Sequence, residues 1–389
     1  MEPDPARAAR KRMTRRGRPR HGDAQAMSEQ DKQQQAHTLA GAPKMGWLCS
    51  YTPLEILLAA GFQPVRITGH TGAVQKADGL MHPNMCQFVR ACLDAAVDGA
   101  YSTFEGAVFV NSCDAMRRLA DAWRKYTDAK FVHMIDLPKG AGDADAAYLR
   151  NEFDKLRRAL ESAFGIDVTD PVIKQAVKLY NTSRSLYHEM NALRTDAPPR
   201  VSGREAWNMA GLFNNTPPAV WNQALKALLE QKRADAPPSV LARPRVILAG
   251  SPAHNPEFAG FVEDCGLDVV FEDMCTGSRF FDVSVGNAAD PLLDLARGYL
   301  EKPPCARMMS MDKRAEAMID RARAMGARGV VHHALKFCDT VLYDAPELKR
   351  RLEAAGLRTL FLEGDGTLGS MGQLKTRIQA FAEVLGGDL

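Results

Sequence analysis

From residue 45 onward, short apolar runs alternate with segments in which apolar residues recur every three or four positions. Met45–Cys49 predicts a buried strand and Pro53–Ala60 a helix stopped by Gly61. Pro64–Thr68 predicts a strand and Asn84–Val97 a helix. Ala107–Val110 predicts a strand, Ala115–Tyr126 an amphipathic helix capped by Asp114, and Phe131–Ile135 a strand. The last third follows the same order. Strands are expected at Arg245–Ala249, Asp268–Phe271, Gly329–Leu335 and Thr359–Leu362. Helices are expected at Pro256–Cys265, Met311–Met325, Asp344–Ala355 and Gln373–Leu385. Between the thirds, Asp143–Phe164, Pro171–Leu193 and Pro218–Gln231 read as helix.

Each outer third therefore runs strand, helix, strand, helix, strand, Cys-Asp, helix, strand. This alternation predicts an α/β fold made of two doubly wound parallel-sheet (Rossmann- or flavodoxin-like) domains related as a repeat. The expected boundaries are a tail over 1–40, a first α/β domain over 41–142, a helical segment and linker over 143–238, and a second α/β domain over 239–389. Sheets of this kind bind ligands beyond the carboxyl ends of their strands.

Charge changes the picture only at the N-terminus. The chain carries a net +3, but residues 1–26 hold eight basic and three acidic residues, so the other 363 sum to −2. The basic stretch has no hydrophobic period and reads as a disordered, solvated tail, or as sequence upstream of a start at Met27, rather than as a nucleic-acid arm. No apolar run approaches the roughly 18 residues of a membrane span, so neither nucleic acid nor membrane is an expected partner. A cytoplasmic location is the expectation, with thiols kept reduced.

Neither standard glycine-rich phosphate loop is present, nor a GxSxG elbow, nor a close CxxC pair. What remains is eight widely spaced cysteines, at 49, 86, 92, 113, 265, 275, 305 and 338. Cys49, Cys113 and Cys338 fall at the predicted carboxyl edges of strands, and Cys86 opens a helix, where a thiolate is favoured. Two Cys-Asp pairs at matched strand ends can converge on one cleft, and thiolates suit zinc or an iron–sulfur cluster. The competing reading is the commonest fate of cysteine, a small buried hydrophobe.

At these residues the sequence resembles the 2-hydroxyacyl-CoA dehydratase and benzoyl-CoA reductase family of iron–sulfur subunits. The resemblance is carried by LCSYTPLEILLAAGFQPVRITG (48–69), MCQFVRACLDA (85–95), NSCDAMRRLADAWR (111–124) and FEDMCTGSRFF (271–281). It continues through PPCARM (303–308), KFCDTVLYDAPELKRRLEAAGLRTLFLE (336–363) and GQLKTRIQAFAEVL (372–385). It implies a [4Fe–4S] cluster on Cys86, Cys113 and Cys338, with one iron left open to a substrate oxygen. It implies one electron added to the carbonyl of a 2-hydroxyacyl-CoA thioester, giving a ketyl radical from which hydroxide leaves. It also implies a related second subunit, a homodimer being the alternative, and a separate ATP-hydrolysing iron–sulfur activator. Reduction of an aromatic acyl-CoA, as in benzoyl-CoA reductases, is the nearest alternative. A double-cubane cluster protein is another, although Gly99–Asn111 lacks the further cysteine expected of one. A non-enzymatic cluster carrier or partner-binding subunit is the rival from another class.

Other positions are candidates from placement alone. Ser50 and Glu55 would face the cleft as a hydrogen-bond donor to substrate and a proton acceptor, or serve only the helix start. Cys49, Cys275 and Arg279 are candidate substrate-binding residues, Arg279 for a CoA phosphate or as a surface arginine. His332 and His333 fall in one strand and read as core histidines, and Cys92 and Cys265 as core thiols.

Overall fold

The computed structural model describes residues 41–236, 243–253, 255–365 and 371–387. The basic tail and the end of the expected linker, residues 237–238, lie outside the described residues. The first half places β1 (Lys44–Trp47), α1 (Leu54–Ala59), β2 (Gln63–Arg66), α2 (Gln87–Val97), β3 (Phe104–Asn111), α3 (Asp114–Tyr126) and β4 (Phe131–Asp136) in the expected order. Four helices follow before the second sheet: α4 (Asp143–Phe164), α5 (Asp170–Ala192), α6 (Gly203–Phe213) and α7 (Pro218–Ala234). The last third repeats the first plan with β5 (Arg245–Gly250), α8 (Phe258–Asp264), β6 (Asp268–Asp273), α9 (Pro291–Glu301), α10 (Met311–Met325), β7 (Gly329–Leu335), α11 (Asp339–Ala354), β8 (Arg358–Gly364) and α12 (Met371–Gly386). Helix α9 is the addition, lying between β6 and α10.

The strands form two parallel four-stranded sheets, ordered β2-β1-β3-β4 and β6-β5-β7-β8. The repeat read from the pattern is thus a repeat of topology. In each sheet the order reverses between the first strand and its inner neighbour, β1 beside β3 and β5 beside β7. That is where a parallel sheet opens a crevice for ligands. The inner strands are buried along nearly their whole length, so they carry apolar runs such as GAVFV instead of an alternation.

Two helix starts and two whole helices differ from the sequence reading for local reasons. The helix read from Asp344 begins at Asp339, with Pro346 inside it. Asp114 is the first residue of α3 and not its cap, which is Cys113. Helices α6 and α9 lie outside the sequence expectation, although both carry start signals: a Ser202–Glu205 capping box, and Asp290 before Pro291.

One apolar cluster joins the halves. It holds Phe88, Val89, Leu93, Phe109 and Leu119 of the first together with Ala334, Leu335 and Val341 of the second, and Cys86 and Cys338 belong to it. The linking helices α4, α5 and α7, with α9, cover the other face of the first sheet. Among the described residues no helix is long and apolar enough to cross a membrane.

Candidate metal centre

The site assembles at the two switch points. Cys113 follows β3 and Cys338 follows β7, the inner strands of the two sheets. Cys86 precedes α2 on the crossover between β2 and β3. All three cysteines occupy N-caps, Cys86 of α2, Cys113 of α3 and Cys338 of α11, and none caps its helix with a side-chain hydrogen bond. Helix N-termini carry unsatisfied N–H groups and a positive partial charge, so each thiol lies at a positive helix end.

The three thiols interact across the halves. Cys86 donates its S–H to Cys338, and this bond, followed by burial and the Cys338 charge, pushes Cys86 well above the ordinary thiol range. The same bond is the first cause drawing Cys338 down to about 5. Burial opposes the shift, while Arg307, Ser251 Oγ and the Val341 N–H reinforce it. Cys113 is half-buried and close enough to Cys86 to interact with it electrostatically. Ser251 reaches the site because Gly250 ends β5 at a φ of +123°, where an added Cβ would lie 1.9 Å from the His333 carbonyl oxygen. The Ser251 hydroxyl also accepts the Leu335 N–H at 3.0 Å. Arg307 lies close enough to feel the charge of Cys113 and Cys338 and is tied to Thr340 Oγ1.

Residues 86, 113 and 338 fit an iron–sulfur cluster by donor chemistry. Three soft thiols are offered, with helix termini and a guanidinium to offset thiolate charge. Among the described residues no three Cys, His, Asp or Glu side chains converge as a single metal ion requires. The thiolates of a cluster bind through different atoms of it and need no common point.

Beside this trio lies a second group of thiols that spacing does not reveal. Cys49, Cys275 and Cys305 interact with one another and with three cations, Arg66, Arg279 and Lys302. Burial pushes Cys49 up to about 11, with the neighbouring Cys275 adding to it. Burial also raises Cys305, but Arg279 and Arg307 outweigh it and leave the thiol below its ordinary value. Ser50 Oγ lies 4.0 Å from Cys275 Sγ. Arg66 stacks over the Trp47 ring at 4.7 Å and donates to the Cys275 carbonyl.

The remaining candidates separate. Ser50 lies in this second group and is buried. Glu55 does not present a free carboxylate: Arg184 Nη2 binds it at 2.5 Å and the Tyr299 hydroxyl at 2.9 Å, and it has no exposure. Arg279 is not at the surface. It is buried against Asp273 at 2.7 Å and the Pro303 carbonyl at 3.2 Å. His332 and His333 are both buried in β7, and burial pushes His332 down to about 3. Cys92 and Cys265 lie buried in separate apolar clusters. Arg66, Ser251, Lys302, Cys305 and Arg307 join the site without having been singled out by the sequence pattern. Arg66, Cys305 and Arg307 lie in blocks that stand out in sequence, LCSYTPLEILLAAGFQPVRITG and PPCARM, but what they touch is set by tertiary contact.

The chain matches the family described as 2-hydroxyglutaryl-CoA dehydratase, D-component, over residues 49–385. Among curated relatives it is 23% identical to the (R)-phenyllactyl-CoA dehydratase beta subunit of Clostridium sporogenes, covering 89% of this chain and 92% of that one. It is 25% identical to the beta subunit of lactoyl-CoA dehydratase of Anaerotignum propionicum, over 89% and 92%. It is 26% identical to a benzoyl-CoA reductase subunit of Thauera aromatica, over 86% and 88%. With most of its length matched and two repeated sheets meeting at three capping cysteines, the chain belongs to the 2-hydroxyglutaryl-CoA dehydratase D-component family.

Proposed function

We propose that this chain is an iron–sulfur subunit of a 2-hydroxyacyl-CoA dehydratase-type enzyme. The observation that carries the reading is the meeting of Cys86, Cys113 and Cys338 at three helix N-caps drawn from both halves. A [4Fe–4S] cluster held there by three thiolates would supply one low-potential electron and an open, Lewis-acidic iron. The chain's own residues do the rest. Ser251 and Arg307 fix and stabilise the Cys338 thiolate. The apolar cluster around Cys86 and Cys338 excludes water from the electron's path. Ser50 offers a hydroxyl to the thioester carbonyl. Cys49 and Cys275 flank that hydroxyl and complete the substrate end of the site. With an added electron on the thioester carbonyl, the α-hydroxyl leaves as hydroxide and the β-proton becomes acidic. The electron returns after that proton is lost, so the reaction is a net loss of water.

Relatives named as beta subunits of dehydratases support assembly with a related second subunit. The lack of a phosphate loop in this sequence accords with an ATP-dependent activator carried by another chain. A cytoplasmic location belongs to the same reading. Similarity to a benzoyl-CoA reductase subunit favours a second reading, in which the same electron enters an aromatic acyl-CoA. Anaerobic turnover assays of the assembled enzyme separate the two. Conversion of (R)-lactoyl-CoA or (R)-phenyllactyl-CoA to the unsaturated thioester supports the first. Conversion of benzoyl-CoA alone supports the second, and conversion of none contradicts both.

A further inference from the structure

Lys302 follows α9 as its C-cap and reaches across to the first half of the chain. Its Nζ lies 2.6 Å from the Ser50 carbonyl oxygen and 3.3 Å from Ser50 Oγ. It sits over the Tyr51 ring at 3.9 Å and the Tyr299 ring at 5.4 Å, and it is buried. None of these partners is an anion. A buried ammonium is costly unless its charge is answered. The ring faces answer part of it, and the remainder is available to any negative charge that forms at Ser50.

We propose that Lys302 is a positioning residue that arms Ser50 as the hydrogen-bond donor to the thioester oxygen. This rests on the dehydratase-type reading and names the residue behind its carbonyl contact. Ser50 Oγ accepts from the ammonium, so its own proton is free to be donated. That proton is directed at Cys275 Sγ, a weak acceptor 4.0 Å away that a carbonyl oxygen would displace. The two hydrogen bonds polarise one another. As the thioester oxygen takes up negative charge, a fixed ammonium one hydroxyl away stabilises it without reorganising, and no proton is transferred.

The ammonium form is the working one. The groups that face it are Cys49 and Tyr51 after β1, Cys275 and Arg279 after β6, Tyr299 on α9, and Cys305 on the segment that follows. Burial lowers Lys302 to about 8, Arg279 acting with it and the three thiols against it. Turnover therefore falls as pH rises through that value.

The test uses the assembled, activated enzyme with (R)-lactoyl-CoA and benzoyl-CoA as probes. Iron per chain is checked first for each variant. Lys302→Met should lower kcat about 100-fold, the scale of losing one oxyanion donor, with KM moved less than about 3-fold, and should abolish the alkaline limb. Lys302→Arg should keep the limb and displace it to higher pH. Ser50→Ala combined with Lys302→Met should be no worse than Ser50→Ala alone, since Lys302 acts through Ser50. Should Lys302→Met not fold, the wild-type alkaline limb and the Lys302→Arg displacement decide the matter. Additive losses in the double variant, or a pH profile that Lys302→Arg does not move, overturn the proposal. An active wild type with unimpaired Lys302→Met overturns it while leaving the dehydratase-type reading intact. A wild type that converts neither probe overturns both.

Discussion

Two residues near the cysteines show how single positions hold the site. Asp94 sits on α2, the helix that Cys86 caps. Its carboxylate accepts the Ala77 N–H at 2.8 Å and the Gln75 N–H at 3.1 Å, and it meets His70 Nε2 at 2.8 Å. Burial pushes this carboxylate up, but the hydrogen bonds win and hold it below the usual range. Its contribution is therefore present above the unfolded carboxylate value, near 4, and is lost as pH falls through the folded one. Asp94→Ala should cost about 3 kcal/mol at pH 7, the scale of losing bonds to a charged group. Urea melts should show the gap from wild type narrowing at pH 3. Phe337, beside Cys338, is the one non-glycine with positive φ among the described residues, at +63°, and it is 45% exposed. Phe337→Gly should relieve left-handed strain and raise stability by about 1 kcal/mol. A lower urea midpoint for that variant would contradict the strain.

At the scale of elements, the alternation of strands and helices is legible because buried parallel strands and amphipathic helices write different periods into the chain. Helix starts are less legible. Cysteine is not a usual capping residue, so the pattern points to Asp114 where Cys113 is the cap, and Pro346 hides the first turn of α11. The cysteines themselves are legible by context. Their surroundings are not: Lys302 meets Ser50 from 252 residues away and Arg66 meets Cys275 from 209, and no local pattern encodes such pairs. Glu55 illustrates the same limit. Its place in the first turn of α1 suggests chemistry, yet it ties α1 to α5 through Arg184 and to α9 through Tyr299. Arg184→Met should leave a buried carboxylate without its cation and cost about 3–5 kcal/mol. Denaturant titration checks this, and a loss below about 1 kcal/mol would contradict it.

For the whole molecule, the repeat matters because neither half completes the centre. The first sheet contributes Cys86 and Cys113, the second Cys338 and Ser251, and a shared apolar cluster fixes the halves against each other. The second thiol group is divided in the same way, Cys49 from the first half and Cys275 and Cys305 from the second, with Lys302 and Arg66 crossing the boundary in opposite directions.

The most direct test of the central claim is iron and acid-labile sulfide per chain, with EPR of the reduced protein, after anaerobic purification. The account predicts about four of each. It predicts loss of both in Cys86→Ala, Cys113→Ala and Cys338→Ala, and retention in Cys49→Ala, Cys275→Ala and Cys305→Ala. Iron that survives Cys338→Ala, or that vanishes only when the second group is altered, would contradict it.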